Sequence, residues 1–467
     1  MIRIPVLAAL LVPGILFSAS AGEAVVDGAV PILYRRVAVP NAFLRTEEID
    51  GKSHTYGGDV RMGDLTGNGR VDFVVYRSME DAHDGGGMKP CFMGAFSLDG
   101  EVLWTIGEGG TQPTRPGPVA IHDIDGDGAS EVIHFFHDKT IAAPPTSMRD
   151  VTVQIREGKT GELEREAAPE AFTQCSGRGP NWCHQRILIA NFRGLETPRD
   201  FVVKLGATLV AFDEKLDVLW SYTCPWTEYA KCPAYIPAVG DIDGDGRDEV
   251  LGGYYLLEEN GVPVWERQLG RNMDSVAITE WDGGNVRAIC SGFGHVLDAE
   301  ENVLLKLGPD RVPHGQEVRV ARFVGEEAEP QMVLRWNGHT PEVIVVDTDG
   351  EIVNEFELNE SPNNTGMEPV YWHGPDKPAV LYNGGMLWNP ITGEGIALPE
   401  LPKPERIGRM SWYHCVAANV CGDAREEVVL YNPWERFVYI YTPAPLNESA
   451  FADYTPGPRQ YNARIMD

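Results

Sequence analysis

The chain has 467 residues, of which 39 are basic and 69 acidic, giving a formal net charge of −30. That balance argues against a nucleic-acid or anionic-membrane partner, since such surfaces repel a protein of this sign. It also opposes an anionic substrate at long range, a penalty that salt reduces over a screening length of about 8 Å at physiological ionic strength.

At the start of the chain, Met1-Ile2-Arg3 is followed by an apolar run from Ile4 to Phe17 and then by Ser18-Ala19-Ser20-Ala21. One positive charge, a short apolar core and a small-residue end predict a secretory signal peptide over residues 1–21. Pro13 and Gly14 interrupt the run, which is too short for a comfortable membrane span. Residues 22–467 are therefore expected as one secreted or periplasmic domain without membrane insertion, and as a monomer.

One unit then recurs along the chain: an apolar strand, an acidic or Gly-rich turn and a second apolar strand. The clearest copies are Val119-Ala-Ile-His-Asp-Ile-Asp-Gly-Asp-Gly and Pro237-Ala-Val-Gly-Asp-Ile-Asp-Gly-Asp-Gly. A third runs Val60-Arg-Met-Gly-Asp-Leu-Thr-Gly-Asn-Gly, and fainter ones begin at Ile187, Val276, Val318, Pro369 and Val416. Their first turn positions are Asp64, Asp123, Asn191, Asp241, Glu280, Arg322, Trp372 and Asn419, spaced 39 to 68 residues apart. That period suits a four-stranded propeller blade. Asp-Gly turns between apolar runs, as in Leu98-Asp99-Gly100-Glu101 and Thr348-Asp349-Gly350-Glu351, mark further hairpins. The expectation is an all-β, eight-bladed β-propeller, with seven blades the rival because the Glu280 and Trp372 copies are faint. The last blade shows only three strands of its own, ending at Phe437–Tyr441. A strand near residues 32–38 is expected to complete it and close the ring.

Two turns carry the full pattern D-x-D-x-D-G-x-x-E: Asp123, Asp125, Asp127 and Glu131, then Asp241, Asp243, Asp245 and Glu249. Alternate carboxylates around a tight Gly turn suit calcium, which takes six to eight oxygens. Asp64, Asn68 and Asp72 give a weaker version, and the turn at Asn419 is degraded. No helix flanks these turns, so a structural calcium clip is expected rather than an EF-hand. Among eight cysteines, Cys175/Cys183, Cys224/Cys232 and Cys415/Cys421 form close couples, expected as disulfides in an exported protein.

In a propeller the residues just before each innermost strand gather at one funnel mouth. Those windows hold His54 and Tyr56; Arg115; Trp182, His184 and Arg186; Tyr235; Arg271 and Asn272; His314 and Glu317; Glu368; Tyr413 and His414. Four of the eleven histidines fall there. Breaking a uronate linkage by β-elimination needs a cation or Arg to neutralise the carboxylate, a base for the C5 proton and an acid for the leaving oxygen. This set supplies all three. Hydrolysis would instead want two carboxylates at a defined separation, for which Glu317 and Glu368 are available. A non-catalytic propeller binding a glycan or protein is the third reading.

The acidic turns are similar to those of integrin-type propellers (FG-GAP repeats) and of the propeller rhamnogalacturonan lyases. The His/Tyr/Arg set resembles that of the propeller ulvan lyases and related rhamnose–glucuronate lyases and glycosidases. The resemblance implies a polysaccharide lyase acting on an acidic, uronate-containing polysaccharide, with bound Ca2+. By that analogy His184 or His54 would be the base, Tyr235 the acid, and Arg186 or Arg115 the neutralising cation. Tyr56, Trp182, Arg271, Asn272, His314, Glu317, Glu368, Tyr413 and His414 would bind substrate.

Overall fold

A computed structural model describes residues 29–49, 51–78, 90–107, 119–137, 151–173, 186–205, 207–225, 234, 236–271, 273–361, 365–404, 412–445, 454, 456–457 and 462. Residues 1–21, expected as a signal peptide, lie outside them. Eight four-stranded antiparallel sheets follow one another along the chain. Their first strands are Asp59–Gly63, Val119–His122, Arg186–Ala190, Ala238–Gly240, Val276–Asp282, Val318–Ala321, Glu368–Val370 and His414–Ala418. These sheets are blades 1 to 8 of a β-propeller, and the first strand of each is its innermost. In blade 8 the fourth position is taken by Pro31–Ala38, which pairs with Phe437–Pro443. The first and last stretches of the ring are thereby hydrogen-bonded to each other, leaving no open gap between them.

The strands fold this way because both faces of each sheet are buried. In Asp72–Ser78, Phe73 and Val75 face the interface with blade 8, while Val74 and Tyr76 face blade 2. Such a strand reads as a continuous apolar run, since successive side chains point to opposite faces and neither face meets water. The core is accordingly divided into eight clusters, one between each pair of adjacent blades. Each fully buried Val, Leu, Ile or Phe contributes about 1.5–3 kcal/mol.

An outer device repeats as well. Trp104, on the last strand of blade 1, donates its indole N–H to the Gly158 carbonyl in the outer hairpin of blade 2 (2.7 Å). Trp220 of blade 3 does the same to Glu259 of blade 4, also at 2.7 Å. Gly161 and Gly261 lie under the two indoles, each with positive φ.

Two expectations change. The turn of blade 5 does not start at Glu280: the strand continues to Asp282, with an irregular register after Glu280, and reverses over Gly283-Gly284. Two glycines at positive φ make a tight hairpin without the acidic turn's length. Nor do Cys415 and Cys421 form a disulfide; both are thiols. Cys415 packs between blades 7 and 8 and Cys421 between blades 8 and 1, on opposite faces of one sheet. Cys91 has no described side chain, Cys175, Cys183 and Cys232 lie outside the described residues, and Cys290 is a buried thiol.

Candidate functional site

With four alternating strands per blade, the connections entering the innermost strands all lie at one end of the ring. The acidic turns, together with the outer hairpins, lie at the other. Ion pairs between the two kinds of turn mark that second end: Arg70 with Asp99 at 2.8 Å in blade 1, and Arg247 with Glu259 at 3.3 Å in blade 4.

At the acidic end, one scaffold recurs. The carboxylate opening the second strand accepts the backbone N–H of the turn's second residue: Asp72 from Leu65 (3.2 Å), Glu131 from Ile124 (2.9 Å), Glu249 from Ile242 (2.9 Å) and Glu427 from Val420 (2.8 Å). In blade 6 the side-chain oxygen of Gln331 takes the same bond from Phe323 at 2.8 Å, so the position needs an acceptor and not a charge. Burial pushes Glu131 and Glu249 up to about 8 and Asp72 up to about 6, with the backbone N–H bonds opposing the shift. The first Asp of each full turn is also held: Asp123 accepts N–H bonds from Gly126, Asp127 and Gly128, and Asp241 from Gly244 and Gly246.

The donor sets of the two full turns differ from the sequence expectation. Asp123, Asp125 and Asp127 present carboxylate oxygens within 4.8 Å of one another, whereas Glu131 is not in that group. Its side chain is buried beneath the turn. Asp241, Asp243 and Glu249 form the corresponding group in blade 4, without Asp245. Clustered carboxylate oxygens fit a hard cation such as calcium. In the first turn Asp64 spends both oxygens on the N–H groups of Asn68 and Gly69, and Asn68 accepts from Arg70.

At the mouth end, the described candidates divide. Tyr413 and His414 are fully buried, Tyr413 in the core between blades 7 and 8 and His414 beside Tyr431 (ring centroids 5.3 Å apart). Both therefore serve packing and do not offer a surface to a substrate. His54 sits on a hairpin, Arg45–Ile49 with Lys52–Tyr56, that rests on blade 8, where Gly57 N–H bonds the Pro433 carbonyl at 2.8 Å. Its ring meets Trp434 edge-on with centroids 6.3 Å apart. The side chains of Tyr56 and Arg186 are not described. Arg115, Trp182, His184, Tyr235 and Asn272 lie outside the described residues.

Three of the remaining candidates, His314, Glu317 and Glu368, lie in one run of contacts across blades 5 to 7. His314 Nε2 lies 3.4 Å from Asp274 Oδ2, which also accepts a bond from Gln316 Nε2. Next along the strand, buried Glu317 meets Arg319 at 2.9 Å and Arg335 at 3.5 Å, and accepts the Met367 N–H at 3.1 Å. Arg319 reaches on to Glu368 at 3.4 Å. Burial raises Glu368 to about 7, with the nearby Arg319 charge opposing. Arg319, Glu368 and strand residues of blades 3 to 7 line an axial cavity of about 280 Å³. Arg271 is half-buried, and its Nε has no acceptor among the described residues.

Windows placed before the innermost strands found His314, Glu317 and Glu368 but missed Asp274, Arg319 and Arg335. A strand-borne Arg at the second position of Val318-Arg-Val-Ala was the available signal, because an inward charge on an innermost strand must find a partner.

Fold and mouth together define a class: an eight-bladed β-propeller with an ionised network at one end of its axis and acidic turns at the other, resembling the propeller rhamnogalacturonan lyases. Residues 34–178 match the family model "Rhamnogalacturonan lyase family 11, C-terminal domain". Rhamnogalacturonan exolyase YesX of Bacillus subtilis is 27% identical over 274 residues, 50% of this chain and 44% of that protein. Rhamnogalacturonan endolyase YesW of the same organism is 24% identical over 272 residues, 50% of this chain and 43% of that protein. The chain thus matches less than half the length of these curated relatives. The fold is shared with the Bacillus licheniformis rhamnogalacturonan lyase PL11, at a TM-score of 0.66 and 19% identity over 87% of this chain and 75% of that one.

Proposed function

We propose that this protein is a secreted polysaccharide lyase that cleaves the rhamnose–uronate backbone of rhamnogalacturonan by β-elimination at the mouth of the propeller. The similarity to an exolyase and an endolyase of that polymer over half the chain carries the reading.

Cleavage removes the C5 proton of the uronate, moves that electron pair into a C4–C5 double bond and breaks the bond from C4 to the glycosidic oxygen, which takes up a proton. Arg271, half-buried at the mouth, is the candidate for the first requirement, neutralising the uronate carboxylate. Arg319 suits it poorly: its charge is already shared by Glu317 and Glu368. His314, oriented by Asp274, suits proton removal. By the resemblance, His184 or His54 as base, Tyr235 as acid and Arg186 or Arg115 as cation are candidates for the same roles. Calcium at Asp123, Asp125 and Asp127 and at Asp241, Asp243 and Glu249 would clip the turns far from the mouth, a structural role.

The test is incubation with rhamnogalacturonan, an ulvan-type polymer and a glucuronan, following the ultraviolet absorbance of new C4–C5 double bonds. Absorbance on rhamnogalacturonan is expected. New reducing ends without it would establish a hydrolase, and no change on any polymer would leave a binding propeller. Arg271→Met is expected to lower kcat/KM by about a hundredfold, the loss typical of one preorganised charge-stabilising group.

A further inference from the structure

The C-terminal segment reaches the propeller axis. Tyr454 packs against the core between blades 8 and 1, and its N–H donates to the Gly69 carbonyl at 2.5 Å, in the turn of blade 1. Asn462 lies among the residues lining the axial cavity, beside the innermost strands of blades 3 to 7. There its side-chain Oδ1 accepts the Ile189 N–H at 2.8 Å, and its Nδ2 donates to the Ile189 carbonyl at 2.7 Å.

Ile189 is in the innermost strand of blade 3, directly opposite Phe201. In an antiparallel pair, alternate residues turn both backbone groups away from their partner strand. Ile189 turns its pair toward the axis, and Asn462 meets it with one donor and one acceptor, as a neighbouring strand would. A primary amide is the side chain that carries both groups side by side. Its orientation is fixed by the contact, because reversing it would set donor against donor and acceptor against acceptor. The segment is therefore anchored twice, on the acidic-turn end of blade 1 and inside the channel on blade 3.

We propose that the axial channel is a peptide-binding site whose occupant is the chain's own C-terminal segment, with Asn462 as a strand-mimicking lock on Ile189. Tyr454 and Asn462 thereby tie blade 1 to blade 3, which are not neighbours in the ring.

Hydrogen exchange of the Ile189 amide tests this in the full chain. Asn462→Ala and Asn462→Asp are each expected to speed that exchange at least about fivefold, the factor equivalent to one net hydrogen bond. The Asp variant keeps the shape and loses the donor, which separates the paired bonds from simple filling of space. A chain ending at residue 453 should bind a fluorescent peptide of residues 454–467, whereas the full chain should not, and the peptide carrying Asn462→Ala should bind at least about fivefold more weakly. Unchanged protection of Ile189 in both point variants would overturn the proposal. So would a peptide that binds full and shortened chains alike. If the shortened chain does not fold, the exchange measurements on the point variants decide.

Discussion

Arg319 shows what a single residue does in this fold. Its guanidinium lies between Glu317 and Glu368, and Glu317 is fully buried with Arg335 as its other cation. Removing one member of such a network strands a charge that water cannot reach. Arg319→Met is expected to cost about 3–5 kcal/mol in denaturant unfolding, and adding Glu317→Gln should recover part of the loss. Glu427 makes a different case. Burial first, against N–H bonds from Val420 and Cys421 and a hydroxyl bond from Thr442, places its carboxyl at about 7, above the usual 4.5. A carboxyl raised on folding stabilises the protein below its unfolded value and loses that contribution as pH climbs through the folded value. Stability should therefore fall between about pH 4.5 and 7 by on the order of 3 kcal/mol from this group, and Glu427→Gln should remove that share of the slope. Thermal unfolding at pH 5 and pH 8 for both proteins measures it.

Elements meet through devices that the repeat hides or reveals to different degrees. Gly161 has φ of 72°, and a Cβ there would come within 2.7 Å of the Trp104 ring. Gly161→Ala is expected to destabilise by about 2 kcal/mol, from the left-handed backbone alone and before any displacement of the indole. A Trp104→Phe variant, which loses the bond to Gly158, should reduce the penalty of the second change if the two act at one joint. The acidic turns were legible as tight Asp/Gly turns rich in carboxylates, but the division of labour within them was not. Spacing cannot tell a carboxylate aimed outward from one folded under the turn to hold a backbone N–H, as Glu131 is. Asp125→Asn with Asp243→Asn keeps acceptors in both turns while removing charge. Added calcium should raise the unfolding temperature of the parent protein, and should do so much less for this pair. An equal rise in both would show that the cation binds elsewhere.

Over the whole molecule, the charge of −30 bears on how an acidic polymer arrives. Under the lyase reading, association is opposed at long range and should quicken as salt is added. kcat/KM on rhamnogalacturonan is expected to rise severalfold between about 10 and 150 mM salt, as the screening length shrinks to about 8 Å. A fall over that range would mean that a local positive field at the mouth dominates. The repeat itself was legible from end to end. Eight apolar strand pairs separated by turns leave few ways to bury two-faced sheets other than a ring of blades. The strand at 31–38 was expected from the missing fourth strand of the last blade, and its register against Phe437–Pro443 is set by pairing across the whole chain length.

By itself the sequence determined the blades, most of their turns and the sign of the net charge, because apolar strand runs, Gly-Asp turn chemistry and charge are local or additive properties. Which funnel residues face an opening was decided by tertiary packing. Tyr413 and His414 occupy the same kind of window as His314, yet both are fully buried, Tyr413 in the interface between blades 7 and 8 and His414 beside Tyr431, whereas His314 is partly exposed. The partners of Glu317 and the lock of Asn462 on Ile189 were likewise settled only when strands distant in the chain converged on one axis. Burial and hydrogen-bond pairing depend on that convergence, and a sequence read in order cannot contain it.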